Sequence, residues 1–149
     1  MITVSKITEK DCIALSKIDE SVFGGTFKYE DFLGYLENPI YRFYVAKIDE
    51  NAVGYIGYVS ICGEADIINI GVLQESRGLG IGNMLMDQMI LDCKENNVSL
   101  IHLEVRESNS VAISLYKKYG FIATGVSKNH YKEPTENAVR MTLSFRATQ

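Results

Sequence analysis

A glycine-rich loop is the part of this chain whose residue types and spacing most clearly suggest chemistry. Three glycines alternate with other residues over Arg77–Gly82, between an apolar segment and an amphipathic one. Glycines in such a loop let backbone N–H groups converge on one point, and the start of a following helix adds partial positive charge. The loop therefore predicts a phosphate or pyrophosphate site. The structural alternative is a plain strand-to-helix turn that needs positive φ at its glycines.

The spacing of the loop excludes one phosphate-binding motif and leaves another open. A P-loop ends in Gly-Lys-Ser/Thr, and Gly-Lys does not occur in the chain. The dinucleotide motif G-x-G-x-x-G fails at its sixth position, which is Asn83 counted from Gly78 and Leu85 counted from Gly80. The number of residues from the glycine loop to Glu104 is similar to that between the dinucleotide motif and its ribose-binding acidic residue. A nicotinamide dinucleotide therefore stays an alternative ligand. A chain of 149 residues leaves little room for the second half-site and substrate domain that this alternative needs.

Two further polar residues, Glu104 and Tyr116, stand among apolar neighbours. Glu104 lies between Leu103 and Val105 in a β-rich segment, and strand alternation turns it to the opposite face from both. Tyr116 follows Ala112 by four residues and so shares a helix face with it. The pattern alone favours a solvated strand carboxylate and a tyrosine packed in the core. A role in proton transfer needs further support.

The segments around these residues alternate between strand and helix patterns. We predict a strand at Ile2–Ile7, helices that begin at Thr8 and contain Phe32–Leu36, strands at Tyr41–Ile48, Ala52–Cys62 and Asp66–Val72, a helix over 81–96, a strand at Leu100–Val105, a helix from Asn109 to Gly120, and strands at Phe121–Ser127 and Ala138–Phe145. This order predicts one α/β domain over residues 1–149, with a mixed central β-sheet flanked by about four helices. Antiparallel hairpins come first, and a parallel crossover follows through the 81–96 helix. The apolar run Ile67–Ile70 predicts a strand buried on both faces.

Composition and charge exclude several classes of protein. Hydrophobic residues make up 46% and charged residues 23% of the chain, as in ordinary globular domains. No apolar run approaches the ~18 to 20 residues of a membrane span, and the N-terminus lacks a signal pattern, so we expect a cytoplasmic protein without a membrane partner. The 15 basic residues are scattered against 19 acidic ones, which argues against a nucleic-acid partner. Three dispersed cysteines and two histidines argue against a disulfide framework and a metal site, and the cysteines are expected to be buried or half-buried hydrophobes.

The pattern R-x-x-G-x-G from Arg77 to Gly82 resembles the glycine loop of the GNAT acetyltransferase superfamily. The resemblance extends from Ile2 to about Phe145. Further matches within the chain narrow the resemblance to one branch of the superfamily. They lie at Leu103–Asn109, Ala112–Tyr116, Gly120-Phe121, Asn129–Tyr131, Pro134, Asn137-Ala138 and Met141–Leu143. With these matches the chain resembles the branch that acetylates N-terminal alanine of ribosomal proteins.

The resemblance implies a co-substrate and a set of site residues. Acetyl-coenzyme A is the implied co-substrate, with no metal. Its pyrophosphate would be received by Arg77, Gly78, Leu79, Gly80, Ile81, Gly82 and Asn83. Its pantetheine arm and acetyl carbonyl would meet the backbone of Ile70, Gly71 and Val72, and Asn109 would contact coenzyme A. The glutamate that matches Glu104 is the general base of this branch, and the general acid matches Tyr116.

Gly71 and the peptide-binding residues are less clearly defined by the sequence. Gly71 fits a β-bulge where the backbone approaches a ligand, and a glycine required by strand packing is the alternative. The branch usually has a tryptophan between its first two helices, whereas this chain contains no Trp and has Phe27 nearest to that position. His130 occupies a position that is more often aromatic in the branch. Phe27, Tyr29 and Tyr131 are candidates for lining a peptide slot, with packing as the alternative for each.

These observations together predict an N-acetyltransferase that acts on a protein N-terminus by direct attack in a ternary complex. N-terminal alanine of a small-subunit ribosomal protein is the first candidate substrate. Lysine side chains, polyamines and antibiotics are alternative amine substrates, and a non-catalytic acyl-coenzyme A sensor is an alternative of another class. The sequence leaves open whether the protein is a monomer or a weak dimer.

Overall fold

The computed structural model describes residues 1–145, which form one seven-stranded sheet with helices on both faces. The elements in chain order are β1 (Ile2–Lys6), α1 (Cys12–Phe23), α2 (Tyr29–Glu37), β2 (Tyr41–Ile48), β3 (Asn51–Ile61), β4 (Glu64–Val72), α3 (Ile81–Glu95), β5 (Leu100–Arg106), α4 (Ser110–Lys118), β6 (Ile122–Lys132) and β7 (Thr135–Ser144). Short 3₁₀ turns at Glu9–Asp11 and Gln74–Ser76 precede α1 and α3. The α/β order and the mixed sheet are confirmed. The strand expected at Phe121–Ser127 continues to Lys132.

The strand order in the sheet is β1-β2-β3-β4-β5-β7-β6. Among the paired strands of the described chain, β4 and β5 run parallel and every other pair is antiparallel. The parallel pair is the one joined through α3, because a parallel return requires a crossover connection. The predicted crossover is therefore confirmed.

The parallel strands β4 and β5 pair over only three residues each and then separate. Glu64–Asp66 pair with Leu100–His102, and no pairing of the two strands follows beyond these residues. Along its other edge β4 has a bulge at Ile68, since the consecutive β3 residues Gly57 and Tyr58 face Asn69 and Ile67. The prediction that Ile67–Ile70 is buried on both faces is wrong. These residues are half-buried because they border the opening between the strands.

Each face of the sheet is covered by its own hydrophobic cluster. On one face, Leu85, Met86 and Met89 of α3 are fully buried against the strands. On the other, Leu15 of α1 and Phe32 of α2 are fully buried. Burying one such side chain contributes roughly 1.5–3 kcal/mol. The two clusters fix the sheet between its helices and so hold the opening between β4 and β5 in place.

Buried polar groups tie each helix layer to the sheet. Asp92 of α3 accepts hydrogen bonds from the hydroxyl of Tyr58 and from Arg42, the latter at 3.3 Å. Asp19 of α1 accepts one from the hydroxyl of Tyr55 at 3.0 Å. Buried carboxylates are costly unless they are hydrogen-bonded in this way, so these contacts also fix the register of helix against strand.

The expected burial of the cysteines is only partly confirmed. Cys12 and Cys93 are buried as expected, whereas Cys62 is exposed in the turn between β3 and β4. All three are free thiols. None of the helices within residues 1–145 has the length and apolar character needed to cross a membrane.

Candidate active site

A cavity of about 1050 Å³ occupies the opening between β4 and β5. Its walls come from the two strands, the glycine loop, the end of α1, the start of α3, α4, the end of β6 and the middle of β7. Nine of the predicted site residues line it: Ile70, Gly71, Val72, Arg77, Gly82, Glu104, Asn109, Tyr116 and Tyr131. The separation of the two strands therefore brings together the predicted anion site and the two candidate proton-transfer residues.

The glycine loop has a backbone conformation that side chains rarely adopt. Gly78 and Gly80 have φ of +83° and +82°, and a Cβ at either position would meet nothing within 4 Å. Glycine is thus required there by backbone conformation and not by lack of space. Gly80 is the N-cap of α3, so the first N–H groups of the helix have no intrahelical acceptor. Such donors, together with the positive end of the helix, suit an anion.

Arg77 adds a full positive charge to this end of the cavity. Its Nε donates a hydrogen bond to the carbonyl of Val72 at 3.0 Å, which anchors the side chain at the end of β4. Within residues 1–145, the terminal nitrogens of its guanidinium make no hydrogen bond or ion pair. They are therefore available to a phosphate group.

The other loop residues predicted to receive a pyrophosphate have side chains directed elsewhere. Leu79 is exposed and Ile81 is buried in the core. The side-chain oxygen of Asn83 accepts hydrogen bonds from Lys118 and Tyr119, each at 3.1 Å, and so joins α3 to α4. Any contact of these three residues with an anion would use the backbone, and their predicted role stays a prediction.

Gly71 is required by packing, and the bulge predicted there is wrong. It pairs regularly with Tyr55, while the bulge of β4 is at Ile68. A Cβ on Gly71 would lie 2.9 Å from ring atoms of Phe23 and 3.1 Å from Val22. The end of α1 therefore packs directly on the β4 backbone, and Val22, Phe23 and Gly71 all border the cavity.

Glu104 projects from β5 into the cavity with its two oxygens in different surroundings. The Ser127 hydroxyl donates to its Oε2 at 3.3 Å, and the Nε2 atom of His130 lies 3.8 Å from its Oε1. The side chain is 32% exposed, whereas its neighbours Leu103 and Val105 are buried, as strand alternation predicts. A partly solvated carboxylate in a cavity can accept a proton directly or through water.

Tyr116 lies deeper, on the α4 wall. Its side chain is buried against Phe121, with ring centroids 5.8 Å apart. Within residues 1–145 its hydroxyl forms no hydrogen bond, yet this oxygen is not sealed off from the cavity that the residue lines. Burial raises the pKa of Tyr116 to about 12, and the nearby Tyr131 adds to the effect. The phenol therefore stays protonated near neutral pH and can donate a proton to a developing anion.

Asn109 and Tyr131 complete the set of predicted residues that border the cavity. The side-chain oxygen of Asn109 accepts from the N–H of Ala112 at 3.1 Å and so caps α4. The Arg106 guanidinium lies 4.3 Å from the centre of the Tyr131 ring. Burial and the charge of Glu104 raise the pKa of Tyr131, against the opposing effect of Arg106.

Phe27 and Tyr29 do not line the cavity. Phe27 packs edge-on against Phe32 and Tyr35, with centroids 6.0 and 5.7 Å apart, and its N–H donates to Asp19 at 2.8 Å. Tyr29 is half-buried in the same cluster. A role for either residue in peptide binding stays a prediction.

Asn69 also lines the cavity and is not among the predicted site residues. Its amide nitrogen lies 3.2 Å from the Tyr55 hydroxyl and 3.5 Å from Asp19, which joins β4 to the buried polar group under α1. Its side-chain oxygen has no donor within residues 1–145. A lone polar residue in an isoleucine-rich strand was the signal that could have identified it.

The chain is similar to known proteins in sequence and in fold. Residues 11–121 match the family described as Acetyltransferase (GNAT) family. The chain is 38% identical over 105 residues to the ribosomal protein bS18-alanine N-acetyltransferase of Haemophilus influenzae, covering 67% of this chain and 71% of that protein.

Two solved structures show the same fold. The ribosomal-protein-S18-alanine N-acetyltransferase from Escherichia coli superimposes with a TM-score of 0.88 at 25% identity, covering 97% of this chain and 94% of that one. A GNAT family acetyltransferase from Elizabethkingia anophelis with acetyl-CoA bound has a TM-score of 0.80 at 22% identity, covering 97% and 98% of the two chains. The matched segment includes α1 through α4 and thus most of the cavity wall.

Proposed function

Because this chain belongs to the GNAT acetyltransferase family and therefore uses acetyl-coenzyme A, we propose that it acetylates the N-terminal amine of a protein, with Glu104 as base and Tyr116 as acid. N-terminal alanine of a ribosomal protein is the first candidate substrate. The observation that carries the proposal is that Glu104, Tyr116 and Arg77 line one cavity. The relatives named as alanine N-acetyltransferases support the choice of substrate.

The residues at the cavity suit acetyl-coenzyme A along its length. The Arg77 guanidinium and the N–H groups at the start of α3 offer donors to a pyrophosphate. Beyond Asp66 the edge of β4 that faces the cavity pairs with no strand of the described chain, so backbone groups there are available. An amide-containing chain such as the pantetheine arm can pair with such an edge as an added strand would. Ile70, Gly71 and Val72 would hold the arm at this edge.

Glu104 and Tyr116 have the chemistry that acetyl transfer requires. As the amine nitrogen bonds to the acetyl carbon, Glu104 accepts the proton that the nitrogen loses, directly or through water. As the carbon–sulfur bond breaks, Tyr116 donates its phenolic proton to the sulfur. Proton exchange that ends in solvent returns both side chains to their starting states. The products are the acetylated amine and a free thiol.

The chemistry of the acceptor favours an N-terminal amine. An α-amino group has a pKa of ~8, so about a tenth of it is neutral at pH 7, whereas a lysine side chain at ~10.4 is neutral in roughly one molecule in 2,500. A single carboxylate that is partly solvated is a modest base. It is better matched to the acceptor that already provides the larger neutral fraction.

Mass spectrometry after incubation with acetyl-coenzyme A and two peptides tests the proposal. One peptide begins with a free alanine, and the other is N-blocked and carries an internal lysine. We expect acetylation of the first alone. Acetylation of the second alone would leave the family and the co-substrate in place and overturn the proposed acceptor.

The Glu104→Gln variant tests the assignment of the base. Turnover is expected to fall by roughly 10²–10⁴, while the affinity for coenzyme A changes by less than about twofold. Glu107→Gln is the matched control, because Glu107 lies three residues further on, exposed, and outside the cavity lining. A large loss of cofactor binding in Glu104→Gln would contradict the assigned role.

A further inference from the structure

The strand β6 has an irregularity beside the cavity that regular pairing would not produce. Ser127 pairs with Ala138 and Tyr131 with Glu136, so three residues of β6, 128–130, lie opposite Asn137 alone. Asn129 has φ of +54°, a left-handed conformation that asparagine tolerates better than most residues. Its N–H donates to the Asn137 side-chain oxygen at 3.0 Å. We call residues 127–131 the β6 bulge.

The β6 bulge directs two consecutive side chains into one cavity. His130 and Tyr131 both line the cavity, where His130 lies next to Glu104 and Tyr131 next to Arg106. Their rings meet edge to face, with centroids 4.9 Å apart. The result is that the His130 Nε2 atom lies 3.8 Å from Glu104 Oε1. Bulges near active sites commonly re-aim a side chain in this manner.

One oxygen of Glu104 faces the His130 imidazole. Its Oε2 accepts from Ser127, so Oε1 is the oxygen that faces the imidazole. The His130 side chain is 41% exposed and can therefore exchange a proton with solvent. Hydrogen bonds that serve catalysis are often long before substrates bind, and a shift of under 1 Å would close this one.

We propose that His130 takes from Glu104 the proton that Glu104 removes from the acceptor amine, and releases it to solvent. This step rests on the function proposed above. Only a proton moves: an N–H bond of the amine breaks, an O–H bond forms and breaks on Glu104, and an N–H bond forms at Nε2 and then breaks to water. His130 acts through Glu104 and is therefore a positioning residue with respect to the amine.

The other charged groups around His130 have partners of their own. Arg106 on β5 pairs with Glu136 on β7 at 3.2 Å, Arg140 on β7 lies 4.0 Å from Asp66 on β4, and the Lys132 ammonium donates to the Asn129 carbonyl at 3.0 Å. Lys128 on β6, Tyr131 and, across the cavity, Tyr116 on α4 are the remaining titratable neighbours. Within residues 1–145, Glu104 is the acidic group within ion-pair distance of His130.

Chemical rescue separates proton transfer from a purely structural role. Single-turnover rates are measured for wild type, His130→Ala and His130→Gln across pH 5–9, with Lys128→Ala as the control from the same bulge. We expect both His130 variants to lose about tenfold in rate at pH 7, with coenzyme A affinity unchanged, and Lys128→Ala to match wild type. Added imidazole should raise the rate of His130→Ala and leave wild type unaffected.

The result that overturns the inference is a rate within twofold of wild type in either His130 variant, or a lowered rate in His130→Ala that imidazole does not raise. The acceptor is whichever amine the wild-type enzyme acetylates. A failure of the alanine peptide would thus overturn the proposed substrate and leave the role of His130 to be decided by the same rates.

Discussion

The most informative single change is Tyr116→Phe, which removes one oxygen atom from the cavity wall. The hydroxyl makes no hydrogen bond within residues 1–145, and the ring keeps its contact with Phe121 in the variant. The free energy of unfolding should therefore change by no more than about 0.5 kcal/mol, as for substitutions that break no buried contact. The rate of acetyl transfer should change far more, because the proton donor to the sulfur is lost.

The size of the effect follows from the environment of the phenol. A pKa of about 12 means that roughly one molecule in a thousand is ionised at pH 9. Moving this pKa two units above its ordinary value of 10 corresponds to about 3 kcal/mol against the phenolate. Tyr116 thus remains a proton donor over the whole working range, and no loss of activity from its ionisation is expected up to about pH 10. Removing a general acid typically costs 10²–10⁴ in rate, and we expect a loss of about a hundredfold.

The assay is the single-turnover release of free thiol between pH 6 and 9.5, with thermal unfolding measured in parallel. Tyr119→Phe is the matched control on the same helix end, since its hydroxyl lies outside the cavity lining and donates to Asp87 at 2.8 Å. That variant should lose roughly 1–2 kcal/mol of stability with its rate unchanged. A Tyr116→Phe rate within threefold of wild type across the pH range would show that Tyr116 only packs, and would refute the reasoning.

Three further predictions concern other parts of the structure. Gly71→Ala should lower the free energy of unfolding by about 1–3 kcal/mol in a denaturant titration, because the added Cβ would lie 2.9 Å from the Phe23 ring; unchanged stability would contradict the packing account. Arg77→Ala should weaken coenzyme A binding about tenfold or more by calorimetry, and a change under twofold would show that the guanidinium does not contact the ligand. Burial alone would raise the pKa of Asp11, but the hydrogen bond and charge of Lys47, 2.9 Å away, lower it below its ordinary value of 3.8. The ionised form is thus the stabilising one, so Asp11→Asn should lose roughly 1–2 kcal/mol at pH 7, and the difference from wild type should disappear as the pH falls below about 4; a difference that does not depend on pH would contradict the ion pair.

Much of the fold could be predicted because its signals are local. Alternation placed Glu104 opposite Leu103 and Val105, and the structure confirms it. The glycines at 78 and 80 could be assigned to a special backbone conformation for the same local reason. Element order then led to the parallel pair, because one crossover helix lies between β4 and β5.

Features that depend on pairing between distant residues could not be predicted. The bulge is at Ile68 and not at Gly71, because the position is set by the register against β3. Half-burial of Ile67–Ile70 follows from the separation of β4 and β5, which no pattern within β4 encodes. Gly71 in turn depends on the approach of Phe23, 48 positions earlier in the chain.

In the candidate site, too, residues with a local sequence signal could be predicted and those that depend on distant contacts could not. Residues in contiguous motifs, such as Arg77 and Tyr116, were identified and do line the cavity. The position of Phe27 between two helices suggests a place in the peptide slot, but its ring packs among its aromatic neighbours. The approach of His130 to Glu104 depends on a bulge that donates a fixing hydrogen bond to a separate strand, and no local sequence pattern indicates it.

The most direct test of the central claim uses one peptide that carries both a free N-terminal alanine and an internal lysine. Fragmentation mass spectrometry after a partial reaction locates the acetyl group on one amine or the other within the same molecule. Both amines experience the same concentration and the same enzyme, so the ratio reports acceptor preference alone. An N-terminal amine acetyltransferase predicts the acetyl group on the alanine nitrogen in nearly every modified molecule. Acetyl groups found mainly on the lysine side chain would contradict it.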